Sequence, residues 1–242
     1  MDFKNIVQSQ LILLMIIFLS GCLFPKNELS QNQVPYEDQL MTVQNAVDQF
    51  KEQTNGLIPI KTKDADTPIF EKYLIDFDQL QQQEILSAIP GNAFESGGIY
   101  QYVIIDPEET AEVKLIDLRT TEAIRKVNVK LDIYRDKHLY PPFGEEVAEG
   151  LYKIDYKKLN FKEEPFVESP FTQNDLPLVM NVHGELFIDY RKDLMQALNE
   201  FDHSYTAGDD IRFLLTEHYP FVPAHTIPYT IENNEPIFML SE

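Results

Sequence analysis

One thiol, Cys22, and five imidazoles, His138, His183, His203, His218 and His225, are the side chains best equipped for chemistry in this chain. Cys22 follows Leu19-Ser20-Gly21 and the apolar run of residues 11–18. A lone thiol can attack, bind metal or accept a covalent group, but it forms no internal disulfide. The histidines include no His-x-x-x-His pair and no His-Glu-x-x-His run, so no helix offers two imidazoles to one metal ion. His218 and His225 could meet across a proline loop, although loop or part-buried imidazoles are the commoner case. Asp64 with Asp66, and Asp209 with Asp210, offer oxygens to Ca²⁺. Neither pair lies in a glycine-containing loop closed by glutamate, and both read as solvated turn acids. Ser96 lacks a Gly-x-Ser-x-Gly elbow, and Gly97-Gly98 behind it suits a tight turn. With 40 acidic residues, some carboxylate pair always has a plausible separation, so spacing carries no signal. The glycines form neither a phosphate-binding loop nor a dinucleotide fingerprint. The expectation is no catalytic residue, no metal, no cofactor and no enzymatic activity.

The charge narrows the partners. The chain carries 20 Lys and Arg against 40 Asp and Glu, a net −20. Nucleic acid is excluded as a partner, because it needs clustered cations to displace counterions. Electrostatic adhesion to anionic lipid through a polybasic segment is disfavoured as well. The hydrophobic fraction of 43%, with 16 Phe and 12 Tyr, is enough to build a core.

The N-terminus resembles the lipobox of bacterial lipoprotein signal peptides. The apolar run has the length of a signal h-region, small residues precede the cysteine, and Lys4 supplies a basic start. A spanning helix needs roughly 20 apolar residues, more than residues 11–18 supply. The resemblance implies that Cys22 takes a diacylglycerol, that cleavage falls between Gly21 and Cys22, and that residues 1–21 are lost. The protein is then held by lipid on the outer face of the plasma membrane. Residues 22–39, polar and containing Pro25 and Pro35, read as a tether.

Beyond the tether the apolar pattern repeats. Leu40, Val43, Val47 and Phe50 are spaced as one face of a helix, as are Ile124, Val127, Leu131 and Tyr134, then Leu194, Leu198 and Phe201. Each stripe ends on an aromatic, and Pro59 and Pro141 bar continuation after the first two. Two short segments follow with one pattern, Ile75-Asp76-Phe77 and Ile154-Asp155-Tyr156. Three β-hairpins are expected: residues 99–105 with 113–118, 178–182 with 185–190, and 227–231 with 236–240. The first two end alike, Ile116-Asp117-Leu118-Arg119 and Ile188-Asp189-Tyr190-Arg191. The reading is an α+β protein of tandem units, each an amphipathic helix, a proline loop and a hairpin packed as small antiparallel sheets. The units are 40–118, 119–190 and a shortened 191–242.

Two resemblances follow. Ala46-Val47-Asp48-Gln49-Phe50, the Pro59 loop, Pro90-Gly91-Asn92-Ala93-Phe94 and Ile99-Tyr100-Gln101-Tyr102-Val103 resemble the globular part of type II secretion pseudopilins. The polymerising N-terminal helix of that family is replaced here by the lipobox, so only a shared globular fold is implied. Pro35-Tyr36-Glu37-Asp38-Gln39-Leu40, Ile60-Lys61-Thr62-Lys63-Asp64 and Gly91-Asn92-Ala93-Phe94-Glu95-Ser96-Gly97-Gly98-Ile99-Tyr100 look like the YphF-type lipoproteins of Bacillus and relatives. That family implies a location and no mechanism. The expected function is a lipid-anchored, non-enzymatic binding or scaffolding module. It touches the membrane through Cys22 and acts on a protein or cell-wall partner. A solute-binding lipoprotein of a transporter and a cell-envelope hydrolase are the alternatives. The aromatic-proline segments 140–143, 219–223 and 227–229 are either partner surfaces or closures of the core.

Overall fold

The computed structural model describes residues 36–239, so Gly21, Cys22 and the apolar run lie outside the described residues. The first helix, α1 (Tyr36–Gln53), turns Val43, Ala46, Val47 and Phe50 into the core. Glu37 and Asp38 in its first turn and Lys51 in its last complement the helix dipole. It opens inside the stretch read as tether. Tyr36 packs on Tyr100 and Phe221, and buried Gln39 accepts the Asn92 backbone N–H. An aromatic anchor and one buried amide thus begin a helix where the composition is polar.

Two short helices follow, α2 (Ile69–Lys72) and α3 (Phe77–Gln82), the latter capped by the Asp76 carboxylate. The strands β1 (Tyr100–Ile105) and β2 (Glu112–Asp117) then make an antiparallel hairpin. Next come the long helix α4 (Leu118–Arg135), β3 (Phe143–Ala148) and β4 (Leu151–Ile154). A ribbon of β5 (Val167–Glu168) and β6 (Asp175–Leu176) leads to β7 (Leu178–Asn181) and β8 (Leu186–Ile188). The chain closes with α5 (Arg191–Glu200), α6 (Arg212–His218), β9 (Tyr229–Glu232) and β10 (Glu235–Phe238). Asn233 and Asn234 take positive φ in the last turn, as a two-residue hairpin requires. The fold is α+β, with helices and several small antiparallel sheets.

The pairing order recurs. β3, β4, β7 and β8 form one sheet in that order. In the first part, Ile60 bridges Ile75, Leu74 bridges Val103 of β1, and β1 pairs β2. The carbonyl of Pro59 accepts from Asp76 N–H, and that of Pro142 from Asp155 N–H, each at 2.8 Å. The same contact, an aspartate N–H on a proline carbonyl, therefore closes both helix-to-sheet loops. What differs is completeness, since the first part uses single bridges where the second has strands.

The β3–β4 hairpin was absent from the sequence reading. β3 is an edge strand, and Glu145 and Glu146 leave it without an apolar face to read. Glu145 is paired with Lys153 across the hairpin.

One main core runs from Val43 to Phe238, and a smaller cluster on the opposite face of β1 packs Phe70 of α2, Val103, Ile105 and Ile116 against Val222 and Ala224. The loop 219–228 laces the core together. Leu115 N–H donates to Pro220 O, and Val222 N–H returns to Leu115 O. Ile188 N–H donates to His225 O, and the Tyr190 hydroxyl donates to Ala224 O. The aromatic-proline segments 219–223 and 227–229 therefore close the core, with Phe221, Val222 and Tyr229 buried. Segment 140–143 differs: Pro142 is buried while Tyr140 is exposed.

Candidate functional site

The five imidazoles are scattered. His183 is exposed in the β7–β8 turn, with its N–H on the Asn181 side-chain oxygen. His138 stacks on Tyr134 at 4.1 Å and His218 on Phe201 at 3.8 Å. His203 lies beside Tyr205. His225 does not meet His218; it faces Thr121 and Glu71 instead. Among the described residues no group of three or more His, Cys, Asp or Glu is placed to hold a metal ion. Ser96 is exposed, its hydroxyl donating to Ile89 O. Asp64 and Asp66 are exposed in a loop. Asp209 accepts from the Thr206 N–H and hydroxyl, and Asp210 is half-buried against Arg212, not a solvated acid.

The His225 cluster has the order nucleophile, base and acid. Thr121 Oγ1 lies 2.7 Å from His225 Nε2, and Glu71 Oε1 lies 3.6 Å from His225 Nδ1. The same Glu71 oxygen accepts the His225 backbone N–H at 2.8 Å. Glu71 comes from α2, Thr121 from α4 and His225 from the lacing loop, where it holds a positive φ of 54°. The imidazole thus joins three segments distant in sequence, with its nearest carboxylate turned to the backbone.

A second buried carboxylate is Asp193 on α5. Ser169 and Thr172 hydroxyls donate to it, yet burial pushes its pKa above the usual carboxylate range, with those hydrogen bonds pulling the other way. These contacts hold the 169–174 loop on α5.

A hollow opens at the C-terminal end of α4. Its volume is about 310 Å³, and Lys130, Ile133, Tyr134, Lys137, His138, Lys158, Leu159 and Asn160 line it. The residues arrive there for separable reasons. Lys130, Ile133, Tyr134 and Lys137 recur at helical spacing on and just past α4. Lys158 and Asn160 come from the turn that Asp155 begins, where Lys158 also pairs with Asp155 at 3.3 Å. Lys130 Nζ lies 3.8 Å over the Phe161 ring and donates to Asn160 O. Tyr134 was the aromatic end of a core stripe in the sequence; here it is part-buried and forms a wall of the hollow.

The surrounding charge is unlike the rest of the chain. Residues 119–162 hold 10 of the 20 Lys and Arg but 7 of the 40 Asp and Glu, so this stretch is +3 within a chain of −20. Three ammonium groups around an apolar floor suit an anionic group carrying apolar substituents. Sequence reading missed this because it weighed the total charge; counting charge by segment finds it.

Among the described residues no helix is long and apolar enough to cross a membrane. Neither a curated protein nor a solved structure matches the chain. Residues 36–117, from the first residue of α1 to the last of β2, match the model of the YphF family N-terminal domain.

Proposed function

We propose, from the match of residues 36–117 to the model of the YphF family N-terminal domain, that the chain is a lipid-anchored binding module that works outside the cytoplasm with no enzymatic step. Cys22, acylated and exposed as the new N-terminus after cleavage behind Gly21, holds it on the outer face of the plasma membrane. The hollow at the end of α4 is the binding face. One observation carries this reading: Lys130, Lys137 and Lys158 converge on an apolar floor in an otherwise acidic protein. Such a site takes an anion, and cations grouped on one face also raise its encounter rate at low salt.

The test has two parts. Mass spectrometry of the native protein finds diacylated Cys22 as the first residue, and Cys22→Ala leaves an unprocessed precursor. Titration with inorganic pyrophosphate shifts the NMR signals of Lys130, Lys137 and Lys158, and Lys130→Glu with Lys137→Glu removes the binding. An intact Met1 terminus in native membranes overturns the anchor. A folded double variant with undiminished binding overturns the face.

The Thr121–His225–Glu71 arrangement favours a second reading, an envelope hydrolase, by the order of its groups. Thr121→Val separates the two. In a binding module the variant keeps its cellular role with a small loss of stability. In a hydrolase it folds normally and loses the role, because a missing nucleophile costs orders of magnitude in rate.

A further inference from the structure

We propose that the end of α4 and the loop after it form a second, non-covalent membrane contact, a lysine-rimmed apolar face that lies on an anionic lipid surface. The proposal rests on the anchored binding reading above and identifies the bound anion as a lipid headgroup.

Val129 and Ile133 on α4 are 51% and 53% exposed, and Leu139 and Tyr140 beyond it are 87% and 68% exposed. Ile133 lines the hollow and Leu139 the depression beside it, with His138 in both, so large apolar side chains stand open next to one another at this end of the helix. Cations surround it: Lys126, Lys130 and Lys137 recur along α4 and its end, with Lys158 across the hollow. Acids are present too. Asp132 and Asp136 share a shallow depression with Arg135, and Asp155 is taken up by Lys158. The balance on this face remains cationic. Lysine stems lie along apolar surface while their heads reach phosphates, and tyrosine favours the headgroup level.

The tether makes such a contact effective. Fourteen Cα steps separate Cys22 from Tyr36, at most about 50 Å of chain. A body of residues 36–239 is about 45 Å across by the usual scaling, so any face comes within reach of the bilayer. An anionic surface repels the acidic faces and attracts this one. Short tethers also hold the body at about millimolar effective concentration, where a weak contact suffices.

The chain contains no tryptophan, so Tyr140→Trp installs a sole reporter, with Leu57→Trp, 67% exposed on the first domain, as the control. The full chain is reconstituted into vesicles of brominated phosphatidylglycerol or brominated phosphatidylcholine. Acylated Cys22 or a retained apolar run keeps it on the vesicle equally, so the readout does not depend on which attachment holds. The N-terminal mass reports the anchor separately. Expected is strong quenching at position 140 over phosphatidylglycerol, weak quenching over phosphatidylcholine and little at position 57 in either. Adding Lys130→Glu and Lys137→Glu lowers the docking equilibrium constant by at least about fivefold per lysine at low salt. Equal quenching at positions 140 and 57 overturns the proposal. So does quenching that survives both reversals in a folded chain. Pyrophosphate binding without quenching over phosphatidylglycerol overturns it as well, leaving the face a site for a soluble anion.

Discussion

Asp193 shows how a single side chain couples this fold to pH. Its carboxylate is fully buried and raised in pKa by desolvation, despite the Ser169 and Thr172 hydroxyls. The native state therefore holds the proton to a higher pH than the unfolded chain, whose aspartates titrate near about 3.9. Wherever the native state binds more protons, stability falls as pH rises, by at most about 1.4 kcal/mol per pH unit for one group. This contribution is fully present below the unfolded pKa and is lost as pH climbs through the raised native one. Asp193→Asn removes the titration. In urea unfolding between pH 3 and pH 7, the stability of the variant relative to the native chain should rise with pH. Parallel curves would mean that Asp193 titrates alike in both states. Nothing in the sequence marked Asp193, because its partners, Ser169 and Thr172, reach it only when the 169–174 loop folds over α5. Gly98 is the opposite case. Gly97-Gly98 read as a tight turn, and a Cβ at Gly98 would lie 2.1 Å from the Asn92 carbonyl.

At the level of elements, three helix starts share one device. Asp117 with Arg119, Asp189 with Arg191 and Asp210 with Arg212 each place an aspartate two residues before an arginine, at the opening of α4, α5 and α6. In all three the arginine N–H and Nε donate to the same carboxylate oxygen, with Nε distances of 3.0, 2.9 and 2.9 Å. The first two were visible as matched Ile-Asp-x-Arg strand ends. The third escaped because Asp210 follows another aspartate and no strand leads into it, so the pair suggested a turn. Burial ranks the arginines. The Arg119 side chain is 59% exposed, whereas Arg212 is 7% exposed and lies 5.0 Å over the Phe70 ring. The carboxylates rank the other way, Asp117 at 2% exposed and Asp210 at 20%. A buried carboxylate left without its partner costs about 3–5 kcal/mol, so Arg119→Ala should lower the urea midpoint although the arginine itself is exposed. An unchanged midpoint would show that the backbone N–H of residue 119 alone satisfies Asp117. The hairpins were legible for a related reason: apolar alternation flanked turn residues at 106–109, 183–184 and 233–234. β3 offered no such alternation.

At the scale of the whole molecule, the last segment decides whether the parts stand alone. The sequence reading divides the chain into tandem units, and the family match ends at Asp117, yet the core crosses every boundary. The crossing is specific. Phe221 adds to β2 through Leu115, and His225 joins Glu71 to Thr121. The Tyr229 hydroxyl accepts the Tyr190 backbone N–H and donates to Ile188 O. All of these contacts lie on residues 219–229. Tyr190 and Tyr229 are both buried, so their polar groups cannot fall back on water, and each one stranded costs about 1–3 kcal/mol. Losing Phe221, Val222 and Tyr229 from the core adds about 1.5–3 kcal/mol or more for each side chain. Those losses together reach the whole stability of an ordinary domain, about 5–15 kcal/mol. Ending the chain after His218 should therefore unfold α1–β2 and α4–β8 as well, although every strand of both remains covalently present. Urea unfolding of the intact protein should then follow one transition by circular dichroism and by tyrosine fluorescence alike. A truncated chain that keeps native protection of the β1–β2 amides in hydrogen exchange would show that the first domain needs no lacing. The 219–229 loop would then be a passenger on two finished folds.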